Sequence, residues 1–534
     1  MAKTIEASNL KRLLSERGEL ALIDVREPGQ FGEGHAFFAV PLPYSRFELG
    51  LPRLVPNPGV RLILCDAGDG AADRAAARAE ALGYRQVAVL AGGVTAWSAA
   101  GYTLYAGVNV PSKTFGELVE HERHTPRLSA RELEAMRAAK DDFVIVDGRP
   151  FIEYAKMNIP GGICCPNGEL ALRIHAIAPD AKTKVIVNCA GRTRSIIGAQ
   201  ILLDFGIANP VYALENGTQG WFLAGLELEH GASRRYRDSQ TADLEALRQR
   251  ARRLAAQRAV AYLDAASAQA WLNDSSRTSY LFDVRSPEEF AADHLPGFQN
   301  APGGQLLQAT DQWVGVKGAR LLLIDAEDVR APVIAGWLQQ LGHEAAVIEG
   351  GIAAARTFNW LRPRPPALAA SPPPVLSIVE AAAALRQDRL QLIDLRPSMS
   401  YRLGHIAGAT WSIRPRLAAA VADKAKTIAL IADDPAIAQL AAIDLAELGC
   451  GEVRLLAPAP SAPWPGVAIV ATPQEPCDRD AIDFLFFTAK RHEGTAEAAE
   501  AARQYLAWEV GLIDQLDAQE RGAFRIGPAA RPSR

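Results

Sequence analysis

The chain has 534 residues, with 57 Lys plus Arg against 61 Asp plus Glu, a net charge of -4 and 49% hydrophobic residues. That balance gives no electrostatic pull toward nucleic acid or an anionic membrane, and at roughly 150 residues per domain the length accommodates three to four domains. Six cysteines (Cys65, Cys164, Cys165, Cys189, Cys450 and Cys477) are too scattered for a disulfide framework, and no CxxC pair points to zinc.

The opening MAKTIEASNLKRLLSERGEL lacks a continuous apolar stretch and no later run is long enough to span a bilayer, so the expected location is the cytoplasm. Short apolar strands ending in Asp-x-Arg then recur along the chain. LALIDVREPGQFGEGH carries Asp24 and Arg26, FVIVDGRPFIEYAKMNIPGG carries Asp147 and Arg149, YLFDVRSPEEFAADHLPG carries Asp283 and Arg285, and LQLIDLRPSMSYRLGHIAG carries Asp394 and Arg396. A second apolar strand follows each and leads into a helix: RLILCDAGDGAADRAAARAEALGY, KVIVNCAGRTRSIIGAQILLDFGI, RLLLIDAEDVRAPVIAGWLQQLGH and TIALIADDPAIAQLAAIDLAELGC. Further short strands close the units at VAVLAGG, PVYALENG, AAVIEGG and EVRLLAP. This alternation predicts an α/β protein of four repeated units, each an open, mostly parallel sheet flanked by helices, with ligands at the carboxyl ends of the strands.

Composition sets the expected boundaries. The units occupy 1–107, 125–232, 259–366 and 375–475, with a charged connecting helix over 233–258 and a stiff proline linker, PRPPALAASPPP, before the fourth. Residues 476–534 have helical periodicity and form a small terminal helical segment.

The chemistry concentrates in VIVNCAGRTRSIIG, residues 185–198. A buried strand runs into Cys189, a tight loop carries Ala190, Gly191, Arg192, Thr193 and Arg194, and Ser195 opens an apolar helix. Such a turn aims backbone N–H groups and a helix N-terminus at the sulfur, and two guanidinium groups add positive charge. Each of these features favours a thiolate and a bound anion. The two arginines at a helix N-terminus oppose its dipole, which a ligand's negative charge explains. Arg149 either lines the same cleft or pairs structurally with Asp147, and Arg173 is either a second anion contact or a surface helix arginine. Aligning the four loops puts Cys65, Cys189, Asp325, and Ala432 or Asp433 at the nucleophile position. Cys65 is thereby a candidate secondary thiol, although Asp66 and Asp69 beside it raise a thiol's pKa and repel an anion. His35, His294 and His405 recur in a GH-like turn where the second unit has Asn158, which argues against a catalytic histidine there.

On these residues each repeat resembles a rhodanese homology domain, and the whole chain resembles a tandem rhodanese-type sulfurtransferase. The resemblance rests on strand-DxR, the GH-I-P-G-like turn, the CAGRTRS loop, and a GG or NG turn leading to Trp97 or Trp221. It implies that Cys189 carries a sulfane sulfur as a persulfide, taken from a small anionic donor and passed to a thiol or cyanide. No metal or organic cofactor is implied, and Cys189 with the loop from Ala190 to Ser195 is the expected site. The third and fourth units, lacking the thiol, are expected to be structural or docking copies. Basic loops in this family favour thiosulfate and neutral ones 3-mercaptopyruvate. Two other readings remain open at this point. One is a persulfide carrier or scaffold that serves a sulfur-accepting protein. The other is a cysteine phosphatase or arsenate reductase, although only four residues separate Cys189 from Arg194 where that chemistry uses five.

Overall fold

The central strands LALID, FVIVD, SYLFD and LQLID are near-continuous apolar runs, the pattern of strands covered on both faces. The computed structural model describes residues 2–237, 243–362, 371–456, 468–488 and 496–527, and folds these runs into four five-stranded sheets. In the first, the hydrogen-bonded order is Lys3–Ile5, Gln86–Leu90, Arg61–Cys65, Leu20–Asp24 and Val40–Pro41, all parallel. The other three sheets repeat that order. Register is shared as well: Asp24 pairs with Cys65, Asp147 with Asn188, Asp283 with Ile324 and Asp394 with Ile431.

The aspartate ending each central strand is buried and grips the arginine two residues on. Arg26, Arg149, Arg285 and Arg396 each place Nε and Nη2 on that carboxylate and donate from Nη2 to a carbonyl eight residues further on, at Gly34, Met157, Asp293 and Gly404. A buried charge with one partner removed costs about 3–5 kcal/mol, so the pair closes each strand-to-helix turn and both residues recur together.

The helices that build the site are α1 (Val110–Arg123), α2 (Phe151–Lys156), α3 (Thr193–Phe205), α4 (Leu244–Gln257), α5 (Gly303–Gln308) and α6 (Ala496–Val510). The connecting segment 233–258 is helical only in α4. Arg235, ahead of it, bridges to Cys164, and 238–242 fall outside the described residues. The proline linker also lies outside them over 363–370, as do 489–495 of the terminal segment, whose described part holds α6 and the short helix Ala518–Arg521. Among the described residues no helix is long and apolar enough to cross a membrane.

The first three units keep a core of their own on one sheet face and share a core on the other. One continuous cluster joins Leu62 and Ala75 of the first, Phe115 and Val119 of α1, Ile196, Ile197, Ile201 and Phe205 of α3, Leu247 and Leu254 of α4, and Ile334 and Trp337 of the third. All of α3 except Arg194 and Leu203 is buried, which explains a helix that is apolar around its circumference. Each such large apolar side chain contributes roughly 1.5–3 kcal/mol. The fourth unit has cores of its own on its two sheet faces. It docks on the first through Arg414, whose buried guanidinium bridges Glu48 at 2.7 Å and Asp444 at 2.7 Å.

Candidate active site

Cys189 follows the strand Lys184–Asn188 and is 2% exposed. Its carbonyl accepts from Thr218 N–H at 2.8 Å, and the Ala190 carbonyl accepts from Gln219 N–H at 3.1 Å. Gly217, at φ 54°, lies so close behind the loop that a Cβ there would stand 2.2 Å from the Cys189 carbonyl oxygen, which requires glycine. Gly93 and Gly351 stand the same way against the carbonyls of Asp66 and Asp325, at 2.3 and 2.2 Å.

That contact and the strand register both identify the position equivalent to Cys189 as Asp66 in the first unit and Asp325 in the third, and the register alone gives Ala432 in the fourth. The expectation for Cys65 is therefore corrected. It sits one residue earlier, at the Asn188 position, and a one-residue offset in a strand turns the side chain to the other face. Cys65 packs with Ile63, Leu90 and Trp97, and burial pushes its thiol well above the ordinary range, with Asp24 adding to the effect.

The two acidic loops show what this turn binds. Asp325 accepts from the N–H groups of Asp328, Val329 and Arg330 at 3.0, 3.0 and 2.7 Å, and Asp66 accepts from Gly68 and Ala72 at 2.8 and 2.9 Å. In each, the loop's own carboxylate sits on backbone N–H groups of the turn, those of the third to fifth residues on in the third unit and of the second and sixth in the first. The counterparts of the three N–H groups around Asp325 are those of Arg192, Thr193 and Arg194.

The side chains of the Cys189 loop are distributed differently from the sequence expectation. Arg192 does not extend toward an open ligand site: Nε and Nη2 each lie 2.8 Å from Glu117, and Glu120 accepts as well, all from α1. Ser195 Oγ donates to the Arg192 carbonyl at 2.8 Å, within the first turn of the helix. Arg149 is held in the recurring pair with Asp147, 2% exposed, so its role is to close the turn. Arg173 lies on Glu169 at 3.4 Å and over the ring of Tyr236 at 5.1 Å. The opposed-dipole argument failed for Arg192 because it assumed that the helix start faced a ligand, whereas α1 supplies the negative charge.

Arg194 is the cation left beside the sulfur. Burial works against its charge, but Glu153 of α2, then Cys189 and Asp147, hold the guanidinium firmly protonated. It is bidentate to Glu153 at 2.9 and 2.8 Å and donates to Gln305 of α5 at 3.4 Å. Its counterpart Arg330 makes the same pair with Glu289 and reaches across to Glu169, the counterpart of Gln305, adding Glu327. The second and third units thus face one another with approximate two-fold symmetry across Gly168 and Gly304, where a Cβ on either would meet the other's backbone at 2.8 or 3.0 Å. Arg330 is neutralised by three carboxylates and Arg194 by one.

The terminal segment roofs the loop. Glu509 of α6 is buried, accepts from Thr193 Oγ1 at 2.8 Å and pairs with Lys113 of α1 at 3.1 Å. A Cβ on Gly191 would stand 3.0 Å from Glu509 Oε2 and 3.4 Å from Tyr505. Glu117, Glu509 and Lys113 lie outside the four repeats and Gln305 lies in the third, so none had a signal in the sequence next to Cys189. Glu153 did carry one, since a glutamate follows the DxR arginine by four residues in both the second and the third units.

Cys164 and Cys165 are buried and unlinked, and burial pushes the Cys164 thiol up to about 12. The histidines of the GH-like turn stack on Phe31, Phe290 and Tyr401 with Nδ1 against the carbonyls of those same residues, a structural arrangement in each case.

The strand order and the site define an α/β protein with a cysteine on the strand-to-helix turn at the carboxyl end of a parallel sheet. The chain belongs to the rhodanese-like domain family, whose model matches residues 6–100, 129–224 and 264–357. It is similar along its length to a thiosulfate sulfurtransferase from Pseudomonas aeruginosa of known crystal structure, with 42% identity, a TM-score of 0.88, and coverage of 99% of this chain and 100% of that one. The solution structure of a rhodanese-like domain from Anabaena sp is 24% identical over 20% of this chain and 80% of its own, with a TM-score of 0.19. An HTH-type transcriptional regulator of Mycobacterium tuberculosis is 30% identical over 96 residues, 18% of this chain, and the match spans 42% of that relative.

Proposed function

We propose that the protein is a thiosulfate sulfurtransferase working by double displacement at Cys189. The Cys189 thiolate attacks the outer sulfur of thiosulfate, a new S–S bond forms, the old one breaks, and sulfite leaves with the electron pair. An acceptor thiolate or cyanide then attacks the terminal sulfur, and the Cys189 thiolate is the leaving group. The N–H groups of Arg192, Thr193 and Arg194 cradle the negative charge, and the Arg194 side chain faces the donor's sulfonate end. Arg192 supports the loop through its pairing with Glu117 and contributes its backbone.

The observation that carries this reading is that the same turn holds a carboxylate in the first and third units and a thiol only in the second. The full-length likeness to a thiosulfate sulfurtransferase supports the choice of donor. Intact-protein mass spectrometry after brief thiosulfate treatment, with sulfite release followed in parallel, tests it. A single sulfur adduct on the wild type that is lost in Cys189→Ser is expected. No adduct on the wild type, or one surviving in the variant, overturns it.

A further inference from the structure

A cavity whose lining does not include the Cys189 loop opens where the first unit, the third unit and the terminal segment meet. It measures about 700 Å³, within the range of small-molecule sites, and such sites favour domain junctions. Its walls combine apolar side chains, with Phe38 and Phe524 among them, and charged ones, with Lys317 and Arg525 beside Glu16, Asp311 and Glu344. Lys317 stands 5.5 Å from the Phe38 ring centroid, and among the described residues neither its ammonium nor the Arg525 guanidinium is paired with a carboxylate. Burial holds the Lys317 pKa down, and burial with Lys317 and Arg525 nearby pushes His343 down to about 4. The neighbouring Arg277 is already taken by Glu19 and Glu344. At Asp311, Oδ1 is fully enclosed with no hydrogen-bond partner.

A half-buried ammonium with no carboxylate beside it is costly unless an anion joins it, and the exposed Arg525 at the rim can hold the same anion. We infer that this cavity is a binding site for a small amphipathic organic anion, with an aromatic or short acyl body against Phe38 and Phe524 and a carboxylate or sulfonate head on Lys317 and Arg525. The head replaces the missing carboxylate with charge-assisted hydrogen bonds, while the body removes apolar wall from water.

The probe is 8-anilino-1-naphthalenesulfonate, titrated by fluorescence into the full-length protein and compared with N-phenyl-1-naphthylamine, which has the same rings without the sulfonate. Saturation at one sulfonate probe per chain is expected, about tenfold tighter than the uncharged analogue. Lys317→Gln combined with Arg525→Gln should weaken the sulfonate probe about tenfold and leave the analogue unchanged, while Lys317→Arg retains binding. Sulfite release from thiosulfate, unchanged in the double variant, reports that it is folded. Unsaturable binding, equal affinity for the two probes, or a double variant that binds like wild type would each overturn the inference.

Discussion

In the proposed mechanism a single side chain, at the position of Cys189, separates a reactive loop from an inert one, because in the first and third units the corresponding turn holds its own carboxylate. Cys65 tests how strict that geometry is. Since Cys65 lies on the core face of its strand, Cys65→Ser should leave the sulfur adduct and sulfite release within about twofold of wild type and cost about 1 kcal/mol or more in denaturant stability by burying a hydroxyl. Gln305 offers a second test. The symmetry-related position holds Glu169, which helps to quench Arg330. Gln305→Glu should therefore place a second carboxylate on Arg194 and raise the KM for thiosulfate about tenfold with a smaller change in kcat, as read from initial rates.

Elements from outside the second unit supply the surroundings of its loop. Helix α1 neutralises Arg192 and carries Lys113, α5 brings Gln305, and α6 covers Gly191 and Thr193. A similar dependence on distant elements governs the helix Pro28–Glu33. Its cap, Glu27, is buried beside Ser45 and near Asp483, and burial raises its pKa from 4.5 to about 7, with the Ser45 hydrogen bonds opposing. The folded state thus holds this proton more tightly than the unfolded chain. The stability it lends is complete below pH 4.5 and is lost as the pH rises through about 7. Glu27→Gln, which mimics the protonated form, should flatten that part of the stability curve in urea unfolding at pH 4.5 to 8, and an unchanged slope would remove Glu27 from the account.

At the scale of the whole molecule, three units share one core and the fourth is pinned to the first by the buried Glu48, Arg414 and Asp444 cluster. Residues 125–237 expressed alone would expose Ile196, Ile197, Ile201 and Phe205 and leave Arg192 without Glu117 and Glu120. We expect that fragment to aggregate or unfold at least 10 °C below the full chain, as followed by circular dichroism. A difference of a few kcal/mol has roughly this effect in a domain of such size. A fragment as stable as the full chain would show that the shared core is dispensable.

The four-fold repeat, the parallel sheets and the loop that holds Cys189 were legible in the sequence because they depend on local periodicity, turn chemistry and short spacings that recur. The paired role of each DxR motif was also within reach, since the motif persists in units without a thiol. Only the tertiary structure decided that Asp66 and not Cys65 matches Cys189, because a strand's facing depends on a one-residue register that loop alignment does not fix. It also decided the charge of the site. Arg192 and Arg194 look alike in the sequence, but the carboxylates that distinguish them come from Glu117, Glu120 and Glu153, and the roof from Glu509, more than 300 residues away. Coulombic interaction depends on distance in space, so chain order alone does not predict which of two neighbouring cations remains able to meet an anion.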